Sequence, residues 1–467
     1  MGLTVEPYRL TLAEAAGCVA RREVAPSELL ESVLARIEAV DGEVGAFVGV
    51  AAGRAREVAR AADRDIARDG PCGPLHGIPV AMKDLYDLAG QRTGAGSRAR
   101  DGHVAGADSG VAERLRAAGA NLFGKVRTHE FAYGSTTPGT RNPWTLRHIP
   151  GGSSGGSGAA VAARMCFASM GTDTGGSVRG PAAHCGVVGL KPTYGRVPVR
   201  GVVPLAWSQD HAGPLARTVT DVALMLNAVA GHDPGDPASA DHPVPDFAAG
   251  HSASAAGLVV GVPVNHFFDD CHPDVAAAAR EAITVLRDAG ADVREVEVPL
   301  AGEILAAHYT ILAAEATAYH DRALRRDGHG YGEAAAAMLH AGRAIRAVDY
   351  IQAQRLRTEV VRRWREVFRT VDVLVAPTVS APAARYGEDA VAHPDGRRES
   401  VLTAYARLNF PADFTGLPAL SVPCGFAREG VPVGIQIIGR PFEEATVLRA
   451  GYAYESATDW WRREPPL

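Results

Sequence analysis

Apolar positions follow two rhythms along the chain. Over residues 1–60 they keep helical spacing: Leu29, Leu30, Val33, Leu34 and Ile37 fall on one face. Thr11-Leu-Ala-Glu14 has capping-box spacing, in which a threonine hydroxyl and a glutamate carboxylate each accept a free N–H of the first turn. These patterns predict a helical lead-in over residues 1–70. From "GIPVAM" (77–82) onward, short apolar runs alternate with amphipathic segments, as in Val111, Leu115 and Ala118 followed by "NLFG" (121–124). A second unit repeats the alternation: "GLVVGVPV" (257–264), a helix from about Pro273 to Ala289 stopped by Gly290, then "VREVEV" (293–298). A helical stretch over about 300–370 precedes the strands "VDVLVAP" (371–377), "ALSVP" (419–423) and "VGIQIIG" (433–439), and a helix near 443–456 follows. Such alternation predicts an α/β fold. The stretch 235–257, rich in Pro, Asp, Ala and His, reads as a long surface loop.

Composition narrows the function classes. With 467 residues, 46% hydrophobic, 22% charged and a net charge of -5, the chain has the make-up of an ordinary globular protein. Nothing in it suggests a nucleic-acid partner, and no run of about 18 apolar residues suggests a membrane span. No linker of the usual composition divides it, so one domain over 1–467 is expected, with the chemistry-bearing motifs in 71–230 and the remainder, 231–467, completing the sheet. The cysteines, at 18, 72, 166, 185, 271 and 424, are scattered without a C-x-x-C pair or a secretory leader. They read as reduced thiols of a cytoplasmic protein. Of 48 basic residues only Lys83, Lys125 and Lys191 are lysine. Arginine stays protonated near neutral pH whereas a buried lysine can lose its proton, so these three are candidates for a special role.

The densest chemistry lies in "PGGSSGGSGAAVAARMCFASMGTDTGGSVRGP" (150–181). A phosphate loop fails, because Ser157 stands where the lysine of G-x-x-x-x-G-K-[ST] is required, and no G-x-G-x-x-G supports a dinucleotide site. "GGSSG" matches G-x-S-x-G, yet "TLRHIP" before it is not a buried strand. A serine–lysine S-x-x-K pair is excluded, since Val80, Leu122 and Val188 precede the three lysines at that spacing. "HEFAY" (129–133) lacks the second histidine of a zinc motif, so no metal is expected, and His184-Cys185 reads as buried structure. Hydroxyl chemistry remains. In "GTDTGGSVRG" (171–180), Gly175 and Gly176 bare the backbone where N–H groups of 174–177 could meet an oxyanion beside Ser177. Lys83, ending an apolar strand, could be a base; a plain turn and a Lys83–Asp84 ion pair remain open alternatives.

Several separated motifs resemble one family. "GIPVAMKD" (77–84), "PGGSSGGSGAAVAA" (150–163), "GTDTGGSVRGPAAHCGVVGLKPTYGRV" (171–197), "GPLARTVTD" (213–221), "GLPALSVPCGF" (416–426) and "GVPVGIQIIG" (430–439) are similar to the amidase signature hydrolases, over essentially the whole chain. The resemblance implies a single α/β/α domain with a mixed sheet flanked by helices, and a Ser, cis-Ser, Lys triad of Ser177, Ser153 and Lys83. It also implies an oxyanion hole of the N–H groups of Thr174, Gly175, Gly176 and Ser177, with Ser154, Asp173 and Arg179 in support and no cofactor. Lys125 and Lys191 fall in motifs where packing or backbone contacts are expected of them.

The chain also departs from the family pattern. Arg127 stands where asparagine is common, the segment between "STT" and "RNPW" is short, Gly180 follows Arg179 in place of a larger residue, and Asp413 replaces asparagine. Gly180 and Asp413, together with Tyr133, are the substrate-binding candidates, and an Asp413 facing the pocket would favour an amino group. The function implied is hydrolysis of a small carboxamide, with a homodimer as a compatible state. The alternatives are the glutaminase subunit of a tRNA-dependent amidotransferase, disfavoured by Arg127, Asp413 and the short loop, and acyl transfer to an amine.

Overall fold

The computed structural model describes residues 5–326 and 328–467. The predicted capping box forms: the Thr11 hydroxyl accepts from the Glu14 N–H at 3.1 Å, and the Glu14 carboxylate accepts from the Thr11 N–H at 2.8 Å. Helices Leu12–Ala20, Pro26–Val44 and Ala52–Asp69 make up the lead-in. Between the last two lies a strand that the pattern did not predict, β1 (Phe47–Val50).

The remaining strands are β2 (Pro79–Lys83), β3 (Asn121–Val126), β4 (Ala168–Asp173), β5 (Val188–Lys191), β6 (His211–Ala216), β7 (Val259–Pro263) and β8 (Asp292–Val296). They continue with β9 (Val373–Pro377), a small hairpin β10 (Ala390–Ala392) and β11 (Arg398–Ser400), β12 (Ala419–Phe426) and β13 (Pro432–Gly439). Eleven of them form one mixed sheet in the order β1-β3-β2-β4-β6-β5-β12-β13-β9-β7-β8. β3, β2 and β4 run parallel, as do β9, β7 and β8; the pairs from β4 to β9 across the middle are antiparallel. Every residue of β2, β3, β4, β5, β6, β9 and β13 is buried. Covering on both faces explains why β9 and β13 read as near-continuous apolar runs rather than as alternating ones.

The helical stretch resolves into Ile304–Arg326, Glu333–Gly342 and Ala347–Val367. The segment 235–257 contains no helix or strand, as expected of a loop, yet Phe247 and Ala255 along it are buried. The Phe247 N–H donates to the Asn227 side-chain oxygen at 2.8 Å, pinning that loop to the body.

Two parallel neighbours, β2 and β4, end side by side with Met82 opposite Met170. The carboxyl ends of parallel strands open into a crevice where α/β proteins bind their ligands. Lys83 is the last residue of β2, and the turn carrying Ser177 leaves the end of β4.

Candidate active site

Lys83 lies at the bottom of this crevice, wholly buried, with its Nζ 2.7 Å from the Ser153 Oγ, 2.8 Å from the Ser154 Oγ and 2.7 Å from the Thr172 Oγ1. No carboxylate pairs with it among the described residues. Asp84 turns instead to Lys125, whose Nζ donates to its Oδ1 at 3.0 Å, so the Lys83–Asp84 ion pair does not form. Burial pulls the Lys83 ammonium down from the usual lysine range to about 7, only partly opposed by Asp173 and Asp210. Three hydroxyls suit an amine in either state, because an ammonium donates to all three and a neutral amine accepts from one and donates to two.

Ser153 and Ser154 are brought under Lys83 by a tight turn with a cis Gly152–Ser153 peptide. The Thr137 hydroxyl braces the turn, donating to the Gly151 and Ser153 carbonyls at 3.0 and 3.2 Å and accepting from the Gly155 N–H at 3.0 Å. A Cβ on Gly152 would fall onto the Thr136 backbone, and one on Gly156 would lie 2.5 Å from the Arg127 carbonyl oxygen, so bare main chain is required here. The helix Gly155–Ala162, buried along its whole length, carries the turn into the core beside β4. Ser154 also joins the turn to that strand: its hydroxyl donates to the Thr172 carbonyl at 3.2 Å, and its N–H donates to the Ser177 carbonyl at 3.2 Å. No hydrogen bond joins the Ser153 and Ser177 hydroxyls themselves among the described residues.

Asp173, the last residue of β4, shapes the turn that presents Ser177. Its carboxylate accepts from the N–H groups of Gly176 (2.6 Å), Val178 (3.0 Å) and Arg179 (3.2 Å), and from the Arg179 guanidinium through Nε and Nη2 at 3.1 Å each. The Arg179 Nη2 also donates to the Asp413 Oδ2 at 2.7 Å, and its Nη1 to the Asn409 carbonyl and the Gln436 Oε1 at 3.1 Å each. All three charged side chains are fully buried. Burial alone would push Asp173 up, but Arg179 holds it well below the carboxylate range. Asp413 moves the other way, raised by burial and then by the neighbouring Asp173 charge. One guanidinium thus balances one carboxylate, with Asp413 favouring its neutral form.

Three expectations, for Asp413, Gly176 and Gly180, are corrected here. Asp413 faces Arg179 and does not line the cavity above Ser177, so it offers nothing to a substrate amino group. The Gly176 N–H is already bound to Asp173, so it is not free for an oxyanion. Gly176 instead supplies φ = +104°, and a Cβ there would lie 2.6 Å from the Asn409 side chain. Gly175 and Ser177 do border the cavity, and no hydrogen bond engages their N–H groups among the described residues. Gly180 is buried in the helix Arg179–Cys185, away from the cavity; a Cβ there would meet only the Val379 Cγ1, at 4.0 Å. Tyr133 lines the cavity.

The other candidates fall outside the site. Lys191 donates to the carbonyls of Leu417 and Pro192 at 2.6 and 3.2 Å, a backbone contact of the expected kind. His184 and Cys185 are both buried; the thiol is held up by burial and the imidazole is pushed down to about 4. Sequence reasoning missed Thr172, the third hydroxyl on Lys83, and Tyr309 and Phe410 on the cavity wall. It also missed Asp210, whose Oδ1 accepts from the Thr174 hydroxyl at 2.6 Å beside the turn.

A family model described as Amidase matches residues 28–448. The chain belongs to the amidase family. An amidase of Pseudomonas putida is 48% identical over 460 residues, covering 98% of each chain. The glutamyl-tRNA(Gln) amidotransferase of Roseiflexus sp. (strain RS-1) has a subunit that is 43% identical over 488 positions, covering 98% of this chain and 99% of that one. A solved structure from a vestigial protein complex tied to the origins of an s-triazine catabolic enzyme superposes with a TM-score of 0.91 at 37% identity, over 95% of this chain and 98% of that chain. The mixed sheet flanked by helices is thus the amidase signature fold, and the chain is an amide hydrolase. Among the described residues no helix is long and apolar enough to cross a membrane.

Proposed function

We propose that this amidase opens a small carboxamide through a seryl acyl-enzyme, with Ser177 as nucleophile, Ser153 as proton relay and Lys83 as base. The observation that carries the reading is the buried Lys83 amine, held near pKa 7 and surrounded by hydroxyls, with no carboxylate to pair it among the described residues. Neutral Lys83 takes the Ser153 proton while Ser153 takes that of Ser177, and the Ser177 oxygen attacks the carbonyl carbon. The N–H groups of Gly175 and Ser177, with Thr174 beside them, receive the developing oxyanion. As the C–N bond breaks, Ser153 protonates the departing nitrogen and regains a proton from Lys83. Water, deprotonated by the same relay, then attacks the acyl carbon and releases the acid and Ser177.

Asp173 and Arg179 act by holding the turn rigid. Incubation with an amide and intact-protein mass spectrometry tests the scheme: an acyl adduct on Ser177 is expected in the wild type and none in Ser177→Ala. Full turnover by Ser177→Ala refutes it.

A second reading is the glutamine-hydrolysing part of a tRNA-dependent amidotransferase, supported by the similarity to the Roseiflexus protein. That alignment spans 488 positions, more than the 467 residues of this chain, so the relative carries insertions that this chain lacks. The alignment with the Pseudomonas amidase spans 460, which favours an independent amidase.

A further inference from the structure

The cavity above Ser177 has a volume of about 410 Å³, within the range of small-molecule sites. Its walls come from three places: the turn around Tyr133, the helix Ile304–Arg326 with Tyr309 and Leu312, and Met338, Ile345 and Phe410 beyond them. No Asp, Glu, Lys or Arg is among the described residues that line it. Its polar side chains are all hydroxyls. Among them the Tyr309 hydroxyl is buried yet makes no hydrogen bond among the described residues. The Tyr309 ring is held edge-on against Phe410, with centroids 4.9 Å apart and planes at 79°, so the ring is fixed on the wall.

We propose, building on Ser177 as nucleophile, that the site takes an uncharged amide with an aryl or alkyl body and one acceptor atom that receives the Tyr309 hydroxyl. The apolar walls accept the body of such a molecule, and the buried phenol accounts for the acceptor, since a buried donor is normally paired. The same walls reject an amino acid. Glutamine would bring an ammonium and a carboxylate against walls with no opposite charge, where the water they lose is not replaced by any ion pair. Burial raises the Tyr309 pKa further above its ordinary value, so the phenol stays a donor throughout the neutral range. The specificity is therefore set by neutrality of the ligand first and by one hydrogen bond second.

The test compares simple aryl and alkyl carboxamides, with and without a ring or chain acceptor, against L-glutamine and L-asparagine. Turnover is measured on the wild type, and binding by calorimetry on Ser177→Ala, which separates recognition from chemistry. The neutral amides should exceed glutamine in kcat/KM by about a hundredfold or more and should bind Ser177→Ala. Tyr309→Phe should lose about tenfold in affinity for acceptor-bearing amides and nothing for those without the acceptor. Equal or better turnover of glutamine overturns the proposal, as does failure of Ser177→Ala to bind any neutral amide. Uniform loss across the panel in Tyr309→Phe overturns the acceptor assignment. Retained turnover in Ser177→Ala sinks the nucleophile reading instead, while the binding data still judge the pocket.

Discussion

Replacing Lys83 by arginine keeps a positive charge at the end of β2 but removes the ability to shed it. The consequence can be worked from the site. A lysine with an ordinary pKa is neutral in about one molecule in three thousand at pH 7. Lys83, lowered to about 7 by burial, is neutral in about half of the molecules at that pH. Guanidinium stays protonated at any working pH. If the base is the neutral amine, Lys83→Arg and Lys83→Ala should both lose about a thousandfold or more in kcat/KM. The wild type should rise with pH through about 7 and fall about tenfold per pH unit well below it. The sign follows from burial, which disfavours the charged form and so supplies more base, not less, near neutrality. Lys191 is also lowered to about 7, chiefly by burial, but its amine touches only carbonyl oxygens, which carry no proton to give up. A Lys191→Met variant should therefore keep the same acid limb even if it is less stable. Stopped assays from about pH 5.5 to about pH 9 on all four proteins, each checked for folding by circular dichroism, decide the matter. A Lys83→Arg enzyme within about tenfold of the wild type, or a profile that stays flat from about pH 6 upward, refutes the reasoning.

Asp413→Ala removes a buried acceptor of the Arg179 guanidinium, which stays paired with Asp173, and should cost about 1–3 kcal/mol in urea unfolding, whereas Asp413→Asn, which keeps a neutral acceptor, should cost far less. Asp173→Ala removes the acceptor that three backbone N–H groups of the Ser177 turn share; it should lower kcat strongly as well as stability, read by kinetics and calorimetry together. Gly175→Ala would put a Cβ 2.5 Å from the Phe410 ring and should disturb both the turn and the cavity wall, lowering turnover and melting temperature together. Gly180→Ala meets nothing closer than Val379 at 4.0 Å and should stay within about 0.5 kcal/mol of the wild type with unchanged turnover.

Strands buried on both faces could be read from the sequence where covering by helices leaves near-continuous apolar runs such as "VDVLVAP" and "VGIQIIG", while the mostly exposed β8 is legible in its alternating "VREVEV". β1 escaped because it is a short edge strand with two exposed residues between helices, so neither strict alternation nor a continuous run marks it. β6 escaped because Gly213 and Pro214 in its middle read as a breaker, although antiparallel neighbours on both sides hold it. At the site, Lys83 stood out through the scarcity of lysine, and the serines through their glycine setting. Thr172 had no such mark: a threonine in a strand is ordinary, and only the parallel register of β2 and β4 brings it to Lys83. Asp413 misled for a related reason. Its charge suggested a ligand, while its true partner, Arg179, lies 234 residues away in the chain.

Arg179 ties the Ser177 turn to the carbonyl of Asn409, to Asp413 and to Gln436. The proposed Lys83, Ser153 and Ser177 are thus synthesised, together with the bracing Thr137 and Asp173, well before Asn409, Asp413 and Gln436, which hold the far side of Arg179. A ribosome-bound chain halfway through its synthesis carries the proposed triad but not these later partners of Arg179.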